Sequence, residues 1–131
     1  MSPVRFRIAD EADLQHATAE AHQAFLGLGA TETQAAKFRT AVSELVRNIL
    51  KYAGRGHLVL TELTEGHRVG MRALVVDKGP GIADLKLALA DAYSTSGTLG
   101  LGLPGVRRLV DQFHIESELG GGTRVTIEVW T

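Results

Sequence analysis

Hydrophobic and polar residues alternate near both ends of the chain. Val4, Phe6 and Ile8 alternate with arginines, and the apolar positions within residues 125–129 alternate with polar ones. Successive side chains of a β-strand point to opposite faces, so each segment predicts a strand with one apolar face. The pattern predicts two more strands, at about 57–63 and 69–76, joined by the turn TEGH.

Helical patterns separate these strands. Asp10 is the expected N-cap of a first helix that runs to about Leu26, and Thr31 with Gln34 forms a capping box for a second helix that stops at Gly54. The apolar stripe of this second helix is Phe38, Val42, Leu45, Ile49 and Ala53. A short helix is predicted at 84–91, and a last one starts near Pro104 with an apolar face of Val106, Leu109, Val110 and Phe113.

This order of elements predicts an α/β fold. We expect a two-layer α/β sandwich in which helices cover one face of a mixed sheet. The 131 residues are enough for a single domain, predicted to span residues 1–131. The composition, 44% hydrophobic and 22% charged, is that of a globular protein.

The charge balance changes the range of expected partners. A formal net charge of −1 gives no overall positive field for nucleic acid or a membrane surface, so neither is expected as a partner. The absence of cysteine excludes disulfides and thiolate metal sites and fits a cytoplasmic protein. No apolar run approaches the length of a membrane span.

The stretch TSGTLGLGLPGVRRL contains G-x-G-x-x-G at Gly100, Gly102 and Gly105. A dinucleotide-binding fingerprint requires a strand directly before the first glycine and further βα units after the last. Here the preceding AYSTSGTL favours a loop, and too few residues follow Gly105. The dinucleotide interpretation therefore fails, but glycines ahead of a helix can still bring backbone N–H groups to a phosphate.

The second helix carries an unusual set of polar residues, Glu44, Asn48 and Lys51. At about 100° per residue they fall within an arc of roughly 60° beside the apolar stripe. The simpler interpretation is a solvated helix edge. In the functional interpretation the Asn48 amide oxygen can bind Mg²⁺, the Glu44 carboxylate can accept a proton, and the Lys51 ammonium can contact phosphate.

Two shorter motifs complete the candidate site. In VVDKGPGI, an apolar strand ends at Asp77 and is followed by Gly79 and Gly81. The simpler interpretation is an ordinary strand-ending turn, but a carboxylate there can also accept a hydrogen bond from an exocyclic amine such as that of adenine. In GGGT, Thr123 starts the last strand, where the alternative is a hairpin turn.

Taken together, these motifs resemble the Bergerat ATP-binding fold of the gyrase, histidine kinase and MutL superfamily. Within it the chain is most similar to the anti-sigma-factor serine kinases, a branch that includes the switch kinases of the bacterial stressosome. The similarity runs from Val4 to Trp130. The stretches that carry it are AVSELVRNILKYAGRG, DKGPGI and AYSTSGTLGLGLPGVRRLVDQF.

The resemblance implies a role for each matching residue. Glu44 would be the general base, Asn48 the magnesium ligand and Lys51 a phosphate contact. Asp77 would bind the adenine amine. The other implied nucleotide contacts are Gly79, Gly81 and Thr123 around the base, and Ser96, Gly97, Gly100, Gly102, Leu103 and Gly105 in a lid and phosphate-binding turn.

The resemblance also implies an activity. The expected protein is an ATP- and Mg²⁺-dependent serine/threonine kinase that phosphorylates a STAS-domain antagonist protein in a partner-switching module. The alternative is a nucleotide-gated binding module, an anti-sigma factor or an activator, with little or no kinase output. A second partner, such as a sigma factor, phosphatase or cyclase, is compatible with both, and the oligomeric state stays open. Glu44 favours the kinase, because a protein that only binds needs no base.

Overall fold

The computed structural model describes residues 3–81 and 102–131, in which a five-stranded sheet carries helices on one face. The strand order is β1-β2-β3-β5-β4. The elements are β1 Val4–Ile8, α1 Glu11–Gly27, α2 Glu32–Asn48, a π-helix Ile49–Ala53, β2 Gly56–Glu65, β3 Arg68–Asp77, α3 Gly102–Leu109, β4 Gln112–Glu118 and β5 Gly122–Trp130.

Side-chain caps fix the starts of the two long helices. The Asp10 carboxylate accepts a hydrogen bond of 2.8 Å from the backbone N–H of Asp13. The Gln34 N–H donates to the Thr31 hydroxyl, and the Thr31 N–H donates to the Gln34 side chain, at 3.1 and 2.8 Å. These bonds satisfy N–H groups that have no partner within the helix. Both predicted caps are confirmed.

The sheet is antiparallel, so the prediction of a mixed sheet is wrong. Each of the four pairs of neighbouring strands is antiparallel. β1 and β2 are antiparallel because two helices, α1 and α2, connect them, whereas a single connecting helix would leave them parallel. β3 and β4 are not neighbours in the sheet, because β5 lies between them and runs antiparallel to both.

The core lies between the helices and one face of the sheet. Phe25 of α1 and Phe38 of α2 are fully buried and meet edge to face, with their ring centroids 5.6 Å apart. Burying two aromatic side chains is among the larger hydrophobic contributions in a domain of this size. The sheet contributes alternate residues, including Leu58, Leu60, Met71, Ala73, Val75, Val125, Ile127 and Val129. The predicted apolar face of the last strand is confirmed.

Two helix ends differ from the prediction. The second helix stays α-helical only to Asn48 and continues to Ala53 as a π-helix. The last helix ends at Leu109, and Phe113 lies on β4, a strand that was not predicted. Phe113 fits the helical spacing of the preceding apolar residues, but the segment QFHIESE also alternates between polar and apolar residues as a strand does. It forms a strand because it pairs with β5. The helix predicted at 84–91 lies outside the described residues.

The second face of the sheet carries no helix in the described ranges. His57 lies on this face, directly between Arg7 on β1 and Val76 on β3. Burial lowers the pKa of His57 below its ordinary value of 6.5, and the positive charges of Arg5, Arg124 and Lys78 lower it further. The folded state therefore favours the neutral imidazole.

This shift makes stability depend on pH. A group whose pKa is lower in the folded than in the unfolded state contributes stability at pH values above its unfolded pKa, and this contribution is lost as the pH falls. We expect the melting temperature to fall between about pH 7 and about pH 5, and to fall less in His57→Gln. Thermal unfolding of both proteins across this range is the measurement. If the melting temperatures of the two proteins fell equally with pH, the assignment to His57 would be contradicted.

Candidate functional site

One row of residues crosses the end of the sheet on the helix-covered face. Asp77 of β3 lies opposite Gly56 of β2 on one side and Thr123 of β5 on the other. Thr123 in turn lies opposite Ser117 of β4, and their hydroxyl oxygens are 2.9 Å apart. The predicted adenine-binding residues Asp77 and Thr123 are thus neighbours, half-buried at the edge of the core.

Ser117 orients the Thr123 hydroxyl, and sequence reasoning missed it. The Ser117 hydroxyl donates to the carbonyl of Gly122 at 3.1 Å. The Ser117 and Thr123 hydroxyls share a hydrogen bond in which either can be the donor, and a hydroxyl oxygen has two lone pairs, so Thr123 can also accept from a ligand. Ser117 could have been found only by recognising the alternation of QFHIESE as a strand.

The Asp77 carboxylate is held in place by its own turn. Its Oδ1 accepts a hydrogen bond of 2.8 Å from the N–H of Gly79. This is the local side-chain-to-backbone bond that aspartate makes at strand ends. Within residues 3–81 and 102–131, no hydrogen bond occupies the second carboxylate oxygen, Oδ2. An ionised carboxylate has about four acceptor positions, so the group can accept further N–H donors.

Close packing excludes side chains at the glycines around Asp77. A Cβ on Gly79 would lie 2.6 Å from the Ala53 Cβ, at the end of the π-helix. A Cβ on Gly81 would overlap the carbonyl of Glu118, and Gly81 has a φ of +78°, a conformation that disfavours other residues. The predicted shaping of this site by Gly79 and Gly81 thus has a steric basis in the fold.

The π-helix places the end of α2 directly over this row. A Cβ on Gly56 would lie 3.1 Å from Ile49 Cγ2, so Ile49 packs on Gly56 next to Asp77. Asn48 precedes Ile49 and Glu44 lies one turn earlier on α2. The helix that carries the predicted general base and metal ligand therefore ends beside the Asp77–Thr123 row.

Glu44 and Asn48 share one side of α2, four residues apart, and both are half-buried. Neither side chain has a hydrogen bond or ion pair to another described residue. Half-buried polar groups usually have partners in protein or water. These two groups are available to a ligand, which favours the functional interpretation of the helix edge over the solvated one.

Lys51 does not follow the predicted arc. The N–H of Gly54 donates to the carbonyl of Ile49 at 2.8 Å, five residues back, which widens the turn that contains Lys51. The prediction assumed an α-helical rotation throughout. Lys51 is exposed, and its ammonium lies 5.2 Å from the centre of the Tyr52 ring. Its contact with phosphate stays a prediction.

The glycine-rich segment is described only at its end. Ser96, Gly97 and Gly100 lie outside the described residues. Gly102 starts α3 with a φ of +67°, while Gly105 is buried and Leu103 packs partly against the core. Because α3 packs against α2, its first turn belongs to the same layer as the helix that carries Glu44 and Asn48.

Carboxylates and histidines do not form a metal site in the described part of the chain. No three His, Asp or Glu side chains there come together as ligands. A hard cation at Asn48 would therefore need most of its ligands from water and from a bound phosphate, as Mg²⁺ commonly has.

The profile of one protein family matches residues 33–131, a range that contains every element of this site. Its description is histidine kinase-, DNA gyrase B- and HSP90-like ATPase. The chain belongs to this family. The predicted ATP-binding fold is thereby confirmed.

Two relatives place the chain within the family. It is 42% identical over 105 residues to the serine/threonine-protein kinase RsbT of Bacillus subtilis, a match that covers 80% of this chain and 77% of that protein. It is 30% identical over 95 residues to the anti-sigma F factor of Clostridium beijerinckii, covering 69% and 66%. The chain is thus similar to members of the branch inferred from its motifs.

Solved structures share the fold at low sequence identity. The structure of the RsbU and RsbW domains of Rv1364c from Mycobacterium tuberculosis matches with a TM-score of 0.69 and 19% identity over 98% of this chain, which spans 32% of that one. The SiaB–SiaC complex from Pseudomonas aeruginosa matches with a TM-score of 0.60 and 11% identity, over the whole of this chain and 90% of that one.

Among the described helices, none has the length and apolar character needed to cross a bilayer.

The packing of Gly122 against Asp77 provides a test of the site's geometry. A Cβ on Gly122 would overlap the Asp77 carbonyl, whereas one on Gly54, with a similar positive φ, would meet nothing within 4 Å. We expect Gly54→Ala to lower the free energy of unfolding by about 1 kcal/mol and Gly122→Ala by at least about twice as much. Chemical denaturation measures both. Equal losses would show that the Gly122–Asp77 contact is not tight.

Proposed function

We propose that this chain is an ATP-dependent protein serine/threonine kinase that phosphorylates a STAS-domain protein in a partner-switching module. The observation that carries the proposal is the packing of Ile49, the residue after Asn48, on Gly56 beside Asp77, at the end of a helix whose half-buried Glu44 and Asn48 have no described partners. The similarity to RsbT, a serine/threonine-protein kinase, supports it.

The row at the end of the sheet suits an adenine base. Asp77 can accept the hydrogen bond of the exocyclic amine with its second carboxylate oxygen, while Gly79 N–H keeps the first one in place. The Thr123 hydroxyl, oriented by Ser117, offers an acceptor next to it. The lack of side chains at Gly79 and Gly81 lets a flat base approach the backbone closely.

The end of α2 suits the phosphates. The Asn48 amide oxygen is a hard ligand without a described partner, so the residues present fit a Mg²⁺ ion shared with phosphate oxygens. Bound Mg²⁺ would neutralise negative charge on the phosphoryl group during transfer. Lys51 and the backbone at Gly100, Gly102, Leu103 and Gly105 are the proposed further phosphate contacts, with Ser96 and Gly97 in the covering lid.

Glu44 is the proposed general base. It lies one helical turn before Asn48, so a hydroxyl placed next to the phosphates could give its proton to the Glu44 carboxylate as the oxygen attacks phosphorus. A serine or threonine hydroxyl is a weak nucleophile without such a base.

Asp77→Asn tests the adenine assignment. The amide oxygen can still accept the Gly79 N–H, so the melting temperature should change little. ATP affinity should fall by roughly tenfold to a hundredfold, because a hydrogen bond to a charged acceptor is lost. Isothermal titration with ATP and Mg²⁺ measures the affinity. If the melting temperature fell along with the ATP affinity, the affinity loss would reflect destabilisation of the fold and would contradict the assignment.

Glu44→Gln tests the catalytic assignment. We expect ATP binding to be retained and phosphoryl transfer to fall by about a hundredfold or more, because the base is removed while the shape is kept. The assay is transfer of label from ATP to purified STAS-domain proteins from the same genome. Glu20→Gln, on the exposed surface of α1, is the matched control. Normal transfer by the Glu44 variant would exclude this residue as the base.

The second candidate function is a nucleotide-gated binding module, which the similarity to the anti-sigma F factor supports. In that case ATP would order the site and control the binding of a second partner, such as a sigma factor, phosphatase or cyclase, without transfer being the output. The same label-transfer assay separates the two. ATP binding without transfer to any candidate substrate would favour the binding module.

A further inference from the structure

The open face of the sheet, opposite the helices, concentrates positive charge at the end nearest Asp77. Two rows of directly opposed residues cross this part of the face. One row contains Arg7, His57, Val76, Arg124 and Glu116, and the next contains Arg5, Val59, Leu74, Thr126 and His114. With Lys78, which follows β3, the residues Arg5, Arg7, His57 and Arg124 form what we call the basic patch.

The cations of the basic patch form no ion pair with a described carboxylate, although Glu116 lies opposite Arg124 in the sheet. Within the described ranges, Arg7, Lys78 and Arg124 form no ion pair, and the Arg5 guanidinium lies 3.4 Å from the His57 ring. Glu116, in the row of Arg124, contacts His114 at 2.9 Å instead.

Elsewhere on the same face a cation is paired. Arg72 donates two hydrogen bonds to one carboxylate oxygen of Glu128, at 2.8 and 3.0 Å. Arg72, in the middle of the open face, is thus paired with a carboxylate, whereas the arginines of the basic patch are not paired with any described one.

Apolar side chains occupy the middle of the patch. Val59, Leu74 and Val76 are half-buried on the open face, on the two strands that lie between Arg5 and Arg124. An apolar centre with a charged rim is the usual composition of a protein–protein interface. Nucleic acid binding relies instead on extended phosphate contacts and aromatic stacking. Because valine and leucine lie between the cations at this end of the open face, a protein is favoured over nucleic acid as the partner.

The like charges also act on His57, inside the patch. The pKa of His57 is lowered by burial and then by the charges of Arg5, Arg124 and Lys78, so the cations repel a further positive charge there. Such an arrangement does not stabilise the folded chain. Local conflicts of this kind are expected at functional sites.

We propose that the basic patch docks an acidic segment of a partner protein, with carboxylates on the arginines and an apolar side chain on Val59, Leu74 and Val76. The surface is distinct from the nucleotide site, because Val76 and Asp77 are consecutive on β3 and point to opposite faces of the sheet. The chain can therefore hold this segment while ATP is bound. The inference does not rest on the kinase activity.

The test uses short synthetic peptides with the full-length chain. The probe repeats Glu-Leu-Glu-Gly. Comparison peptides repeat Lys-Leu-Lys-Gly, which reverses the charge, and Glu-Ser-Glu-Gly, which removes the apolar side chain. Nuclear magnetic resonance titration at low salt gives the affinity and the residues affected. We expect the probe alone to bind well, with shifts at Arg7, His57, Val76 and Arg124.

A pair of charge reversals provides the matched control. Arg7→Glu with Arg124→Glu should weaken probe binding by at least about tenfold while leaving ATP affinity unchanged. Lys37→Glu with Arg39→Glu, two exposed positions on α2, changes the net charge equally and should leave probe binding intact.

Three results would overturn the proposal. The first is that the probe does not bind, or binds outside the basic patch. The second is that both double variants lose the same amount of probe affinity, and the third is that a single-stranded RNA oligonucleotide binds the basic patch more tightly than the probe does. Because ATP affinity is measured on the same variants, loss of the nucleotide site would be recognised separately from loss of the patch.

Discussion

The candidate site depends on one packing contact, between the π-helix and glycines at the end of the sheet. Ile49 lies on Gly56 and Ala53 lies on Gly79, with no space for a side chain at either glycine. Asn48 directly precedes Ile49, so this contact fixes the end of α2 next to the row that contains Asp77 and Thr123. Insertion of a residue into an α-helical turn frequently occurs at functional sites, because it redirects the helix end. Here the end of α2 meets the sheet where polar groups of three strands are neighbours.

Much of this arrangement could be predicted from the sequence, because its signals are local. The caps at Asp10 and Thr31 and the alternation in the last strand depend on neighbouring residues, and the structure agrees with them. The polar motifs at Asp77 and Thr123 were also visible, although only the register of β3 and β5 brings them together.

The errors arise where tertiary contacts decide. The π-helix cannot be recognised from periodicity, since it reflects packing of Ile49 and Ala53 on the sheet, and Lys51 therefore left its predicted arc. The last helix was predicted to reach Phe113 because that residue continues a helical spacing, so strand β4 was not predicted and Ser117 was missed with it. The antiparallel direction of the sheet beyond β3 depends on β4 and on the position of β5 between β3 and β4, which local patterns do not show.

The central claim is that ATP lies between the Asp77–Thr123 row and the end of α2. A crystal structure of the chain with Mg²⁺ and a non-hydrolysable ATP analogue tests it most directly. We expect the adenine amine to lie within hydrogen-bonding distance of the Asp77 carboxylate and Mg²⁺ to be bound by the Asn48 amide oxygen. A nucleotide bound elsewhere, or one whose phosphates lie away from Asn48, would contradict it.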